Sequence, residues 1–240
     1  MKIITFPKNK KIRLAIVCCL HGDEEFGLVV FRYLANKKIQ GVKIILAHEQ
    51  AIRKDVRYIK SDLNRSFPGR LGGNLESRLA QKILNEVKNV PLLIDVHTTT
   101  SAIKMTPIIT RLNESTQQIV NLCSSREVAY MRGRLGKTSL INQVNGGVSL
   151  EFNERYAKRK GALREINQIV QTIINRRRAT KRDRKIFYFS QTIPKAIRLD
   201  KNAKNFRYMP LLGIYPFLLK EKSYVTHQGF SAKKMRHKKI

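Results

Sequence analysis

A histidine and a glutamate stand three residues apart at His21-Gly22-Asp23-Glu24, directly after an apolar run from Ile12 to Leu20. A buried strand that releases an imidazole and a carboxylate into the loop at its end can hold one metal ion from one side. Two later stretches have the same form. Leu92-Leu93-Ile94-Asp95-Val96-His97 closes on a histidine, and Gly147-Val148-Ser149-Leu150-Glu151 closes on a carboxylate. If the three runs are strands of one parallel sheet, their carboxyl ends share an edge, where open α/β sheets keep their sites. His21, Glu24 and His97 then form the two-histidine, one-glutamate set of a catalytic zinc, one ion per chain, with a fourth position open. Glu151 is left as the base. Asp95, two residues before His97, points to the same face of its strand and is placed to support that imidazole from behind.

Taken singly these features are common. An H-x-x-E pair occurs on ordinary exposed helices, and a histidine at a strand end usually belongs to the core or its rim. The chemistry is carried by the conjunction, so the elements that bring the segments together decide it. Helical spacing of Phe26, Val29, Val30 and Leu34 predicts a helix over Glu24 to Ala35, with Asp23 as its N-cap. Val42 to Ala47 reads as the next strand; His48, beside Glu49, reads as a solvated loop residue. Arg53 to Gly73 is a long irregular loop of the kind that is usually functional. Its Arg57, Asn64 and Arg65 are groups that recognise a carboxylate by paired hydrogen bonds. An amphipathic helix, Leu75 to Val87, leads into the His97 strand.

Met105 to Thr110 and Val128 to Met131 are predicted strands flanking a helix at 115–124. Asn153 to Lys160 reads as loop, and Ala162 to Asn175 as a helix through Ile166, Ile169, Val170 and Ile173. The basic block Arg176 to Lys185 marks a change of composition. Beyond it, Ile186 to Phe189, Met209 to Leu219 and Tyr224 to Thr226 have β character. The expected organisation is therefore a catalytic domain over residues 1–180 and a small β-rich C-terminal domain over 181–240.

With 240 residues, the chain can bury a substantial core without staples. It shows no signal-peptide pattern and no run long enough to span a membrane, which points to the cytoplasm. Three cysteines, Cys18, Cys19 and Cys123, argue against a disulfide framework; the adjacent pair point to opposite faces of a strand and read as core. The net charge of +31, from 48 Lys and Arg against 17 Asp and Glu, raises nucleic acid as a partner. The basic residues are spread along the chain, however, with clusters only at Arg176 to Lys185 and Lys233 to Lys239, and no nucleic-acid-binding signature accompanies them. The charge reads in part as a field that draws in small anions. Met1 to Lys11 reads as a polar entry with one short apolar patch.

These motifs resemble those of the succinylglutamate desuccinylase and aspartoacylase family, a branch of the zinc carboxypeptidase-like fold. The resemblance rests on His21-Gly22-Asp23-Glu24, Asp62-Leu63-Asn64-Arg65 with Phe67-Pro68-Gly69, Asp95-Val96-His97 with Thr99-Thr100-Ser101, and Gly147 to Glu151, in the family's order. Tyr215-Pro216 followed by Glu221 and Tyr224 is a weaker echo. It implies an α/β fold with a mixed sheet flanked by helices. It implies zinc on His21, Glu24 and His97, Glu151 as general acid/base, substrate contacts from Arg57, Asn64 and Arg65, and Tyr224 as a C-terminal substrate-contacting tyrosine. One departure bears on the substrate. Aspartate-specific members carry an arginine about ten residues before the glutamate, where this chain has Ile141.

The expected activity is zinc-dependent hydrolysis of the amide of an N-acyl amino acid, such as an N-succinyl or N-acetyl amino acid. Glu151 would move the water proton, Arg57 would steady the oxyanion, and Asn64 and Arg65 would hold the substrate carboxylate. The alternatives are a metallocarboxypeptidase acting on short peptides and a nucleic-acid-binding protein on a degenerate hydrolase scaffold. A homo-oligomer is left open.

Overall fold

Strand β2 (Leu14–Cys18) is the apolar run that precedes His21, and all five of its residues are buried. It lies between β3 (Val42–Leu46) and β4 (Leu92–Thr99), parallel to both. A strand covered on both faces has no polar side to alternate with, which is why this stretch reads as continuous apolar sequence. Beyond β4 comes β7 (Gly147–Asn153), also parallel, with His97 and Glu151 at paired positions. The computed structural model describes residues 1–6, 11–177 and 179–240.

Six further strands extend this centre into one ten-stranded mixed sheet. At one end, β1 (Lys2–Phe6) runs antiparallel to β3. On the other side of β7 lie β5 (Met105–Ile109), antiparallel to it, and then β6 (Glu127–Met131) and β8 (Asp183–Pro194), each parallel to the strand before. Antiparallel strands β10 (His227–Lys239) and β9 (Tyr215–Phe217) complete the order β1-β3-β2-β4-β7-β5-β6-β8-β10-β9. The sheet thus continues without interruption across residue 180.

Helices cover both faces. On one, α1 (Glu25–Lys37), α4 (Glu114–Val120) and α6 (Lys160–Ile174) pack residues such as Val30, Ile119 and Ile166 against Ile16, Ile44, Ile94 and Val148. On the other, α3 (Leu75–Val87) buries Ala80, Ile83 and Val87 against Ala15, Val17 and Leu93. Where α3 no longer reaches, an aromatic cluster takes over, with Phe206 4.8 Å from Phe187 and 4.9 Å from Phe217 between ring centroids. Two short helices, α2 (Glu49–Arg53) and α5 (Glu154–Ala157), follow β3 and β7. Among the described residues no helix is long and apolar enough to cross a membrane.

Several local expectations change. The polar entry contains β1, and its residues 7–10 lie outside the described residues. Asp23 is not the cap of α1: the N-cap position is Glu24, whose side chain makes no capping bond because it faces the two histidines. His48 is buried rather than solvated; it caps α2 by accepting from the Ala51 amide, and its Nε2 meets Glu76 at 3.1 Å. Within 153–160, expected as loop, lies α5. Of Met209 to Leu219 only 215–217 is a strand, and Tyr224 to Thr226 is loop before β10, which takes up the cationic Lys233 to Lys239. The basic block, whose Arg178 lies outside the described residues, includes a buried member. Arg184 donates to the carbonyls of Val120, the last residue of α4, and of Cys123 and Ser125 just after it. All three cysteines are buried and free.

Candidate active site

β2 ends at Cys18 and the chain turns at Cys19, which adopts a left-handed conformation. The turn swings His21 and Glu24 over the carboxyl edge of the sheet before α1 begins. Gly22 makes the turn possible: a Cβ there would lie 2.2 Å from the Ala51 carbonyl carbon, so no other side chain fits between this loop and α2. Its amide donates to the Arg57 carbonyl at 3.1 Å, tying the turn to the long loop.

His21, Glu24 and His97 are all buried, and each offers one ligand atom within 4.8 Å of the others. His21 Nδ1 lies 2.6 Å from Glu24 Oε1, and His97 Nδ1 lies 3.0 Å from Glu24 Oε2. The outer nitrogens are also held. His21 Nε2 meets Asp62 Oδ1 at 3.1 Å, and His97 Nε2 meets Asp95 Oδ2 at 2.8 Å. A carboxylate only accepts, so each Nε2 carries a proton; each Nδ1 faces Glu24, where a cation can replace the proton that this contact otherwise needs. Two Nδ1 atoms and a carboxylate oxygen converging in this way, each imidazole backed by a second carboxylate, is a donor set that fits a small divalent ion. These side chains therefore fit a divalent metal ion.

The electrostatics agree. Burial alone would raise Glu24, but His97 and His21 outweigh it and hold the carboxyl well below its ordinary range. Burial would lower His97, yet Asp95 and Glu24 raise it well above the usual imidazole value. Asp62 is likewise held low against its burial by His21 and Arg57. Glu151, paired with His97 across β4 and β7, faces the same side of the sheet. Burial pushes its carboxyl up to about 7, with Glu24 and Glu221 adding to the rise and His97 opposing it.

The other expected residues reach the same cleft by different routes. Arg57 donates to Asp62 Oδ2 at 3.2 Å and has Nη1 3.9 Å from Glu24. Arg65, at the lip, donates to the Asn64 carbonyl at 3.0 Å. Asn64 lines the cleft too, and its Oδ1 accepts from the Leu140 amide at 3.1 Å. Tyr224 lies on the loop before β10, its ring stacked 4.3 Å from His227 and edge-on to Phe230.

Three carboxylates carry parts of this arrangement that sequence reasoning did not assign. Asp62, quoted in the motif without a role, backs His21 and caps the short 3-10 turn at Leu63–Arg65. Glu76, fully buried in α3, accepts from the amides of Ile59 and Lys60 at 2.8 and 2.9 Å and so pins the arginine loop. Glu221 accepts from the hydroxyl of Thr99 and from the Thr100 amide and hydroxyl at 2.8 and 3.1 Å, which fastens the loop carrying Tyr224 to the end of β4. These pairs are 41, 17 and 122 residues apart in sequence, a distance at which no spacing signals them.

Residues 10–159 match the model of the succinylglutamate desuccinylase/aspartoacylase catalytic domain. Among solved structures, murine aminoacylase 3 is similar with a TM-score of 0.70 at 14% identity, covering 96% of this chain and 97% of that one. The succinylglutamate desuccinylase from Chromobacterium violaceum gives 0.73 at 16% identity, covering 99% and 88%. A product-bound ectoine utilization protein from Ruegeria pomeroyi gives 0.58 at 14%, covering 98% and 82%. At such identities the likeness is one of fold. No curated protein matches by sequence.

Proposed function

The chain belongs to the succinylglutamate desuccinylase/aspartoacylase family of amide-bond hydrolases, and from that premise we propose that it is a zinc-dependent deacylase releasing an amino acid from an N-acyl amino acid. The observation that carries the reading is the convergence of one ligand atom each from His21, Glu24 and His97 within 4.8 Å, with Glu151 on the neighbouring strand in register with His97.

His21, Glu24 and His97 would hold the ion, with Asp62 and Asp95 fixing the imidazoles. A zinc ion there supplies Lewis acidity toward the scissile carbonyl and makes a neighbouring water easier to deprotonate. Every other task falls to side chains. Glu151 takes a proton from the attacking water as the new C–O bond forms, and hands it to the leaving nitrogen as the C–N bond breaks; the water's second proton then passes from the new carboxylic acid to the amine, so the products are a carboxylate and an ammonium group. A carboxyl pushed up to about 7 is matched to both halves of that transfer. Arg57 lies beside Glu24 and can steady the negative charge that develops on the carbonyl oxygen. Arg65 receives the substrate carboxylate at the lip, Asn64 ties the segment carrying Leu140 to the arginine loop beside that contact, and Tyr224 lines the cleft from the loop before β10.

The test is metal analysis and an amide assay on the same preparations. Substitution His97→Ala should abolish stoichiometric zinc and turnover together. Glu151→Gln should keep zinc and lower kcat by about 100-fold or more. Assayed beside N-acetyl and N-succinyl amino acids, short peptides should be poor substrates; turnover of peptides alone would refute the deacylase reading in favour of a carboxypeptidase.

A further inference from the structure

We infer that the face of β6, β8 and β10 turned away from the cleft binds single-stranded nucleic acid. The cleft takes Met131 from β6. Tyr130, its neighbour on that strand, therefore points to the opposite face of the sheet and joins the other core cluster. Tyr188 of β8 is paired with Tyr130; both are half-buried, and their rings lie 5.3 Å apart between centroids. Guanidinium groups flank Tyr188 on either side. Arg132, just beyond the end of β6, has its Cζ 5.9 Å from the ring centroid, and Arg236 of β10 has its Cζ 6.0 Å away. Lys234 is paired with Tyr188 itself, and Lys238, two residues after Arg236, shares its face.

The pairing of β8 with β10 lays side by side the two basic clusters that stand apart in the sequence. Arg184 faces Lys238, Lys185 faces His237, and the Arg182 amide donates to the Ile240 carbonyl at 3.0 Å. Like charges opposed across a ladder destabilise it. Among the described residues no carboxylate forms an ion pair with Arg132, Lys234, Arg236 or Lys238. The helices of this face, α1, α4 and α6, pack mainly on β2, β3, β4 and β7, and the four cations beyond them are exposed.

A polyanion lying there offsets the repulsion, and the rings decide which polyanion fits. Unpaired bases stack on tyrosine rings and on guanidinium planes, whereas a duplex keeps its base faces stacked on one another. Side chains on one face of a strand recur about every 6.8 Å, a spacing that suits the phosphates of an extended chain. An anionic membrane is a poorer match. The exposed large apolar side chains, such as Leu71, Leu211 and Val225, lie outside these three strands, which leaves none here to insert.

The test is fluorescence anisotropy with the full chain and a labelled oligouridine of about 20 nucleotides. We expect binding whose log affinity falls with log salt at a slope of about −3, the value for four phosphates neutralised on a single strand. Tyr188→Leu, which keeps every charge, should weaken binding by about fivefold or more. Lys234→Gln with Arg236→Gln should make the slope shallower by about 1. Lys2→Gln with Lys82→Gln, the same loss of charge at exposed positions elsewhere, should leave affinity within about twofold. If Tyr188→Leu does not fold, the exposed pair Lys234 and Arg236 carries the test. Glu151→Gln should bind as the parent does, which separates this inference from the deacylase reading; loss of binding in that variant would put the strand in the cleft and overturn it. It is equally overturned by no binding, by equal losses in the two charge pairs, by equal affinity for a duplex of the same length, or by binding to phosphatidylserine vesicles without binding to the oligonucleotide.

Discussion

Each imidazole of the His21–Glu24–His97 cluster is held from both sides by carboxylates, and on the proposed reading the outer partner sets how well the inner nitrogen binds zinc. Asp95 is buried behind His97 at 2.8 Å. Changing Asp95→Asn keeps the size but lets the amide offer its donor face, so the proton on Nε2 is no longer required. Zinc affinity should fall by about 10- to 100-fold, read by chelator competition, while the fold persists. Gly22 makes the contrasting case. Gly22→Ala drives a methyl into the backbone of α2, and the expected loss is about 1–3 kcal/mol in denaturant unfolding, with zinc binding lost along with it. At this scale the sequence was informative wherever a chemical group closes an apolar run inside a strand, as His97 and Glu151 do. It was silent where a role comes from packing across long separations, as for Asp62. His48 shows the limit: a histidine beside a glutamate after a strand looks solvated until the helix that buries it, and the Glu76 opposite, are seen.

Among the elements, α3 does more than cover the sheet. Its buried Glu76 holds the Ile59 and Lys60 amides, and with them the loop that bears Arg57 and Arg65. Burial would raise this carboxyl, but the two amides and His48 lower it below its ordinary value of 4.5. A group depressed in the folded state stabilises above the unfolded value and loses that contribution as pH falls through the folded one. The parent should therefore lose stability as pH drops below about 4.5, and Glu76→Gln should flatten that dependence. Glu76→Ala, which orphans the amides, should cost about 2–4 kcal/mol and raise KM through the loosened loop. The loop carrying Tyr224 depends on Glu221 in the same way; Glu221→Gln should keep zinc yet lower kcat/KM by about tenfold. Central strands were legible because both faces are buried. β10 was not, because a run of cations reads as surface loop, and only pairing with β8 makes the stretch from Lys234 to Lys239 extended.

Across the whole molecule, charge is sorted by depth. The chain carries +31, yet Glu24, Asp62, Asp95, Glu151 and Glu221 gather around the cleft. The outside attracts anions over a distance of about one Debye length, ~10 Å at 0.1 M salt, while the centre suits a cation. For an anionic substrate kcat/KM should fall severalfold between low and high salt, mainly through KM, and an uncharged ester of the same compound should show a much flatter response. The continuous sheet also sets an order of assembly. On a ribosome, the chain has displayed both histidines and Glu24 once residue 97 emerges and Glu151 soon after, but Glu221 and Tyr224, which wall the cleft, are translated some seventy residues later. A nascent chain thus carries the donors of the cluster well before the residues that wall the cleft, so on the proposed reading the capacity to hydrolyse would be the last property the growing polypeptide gains.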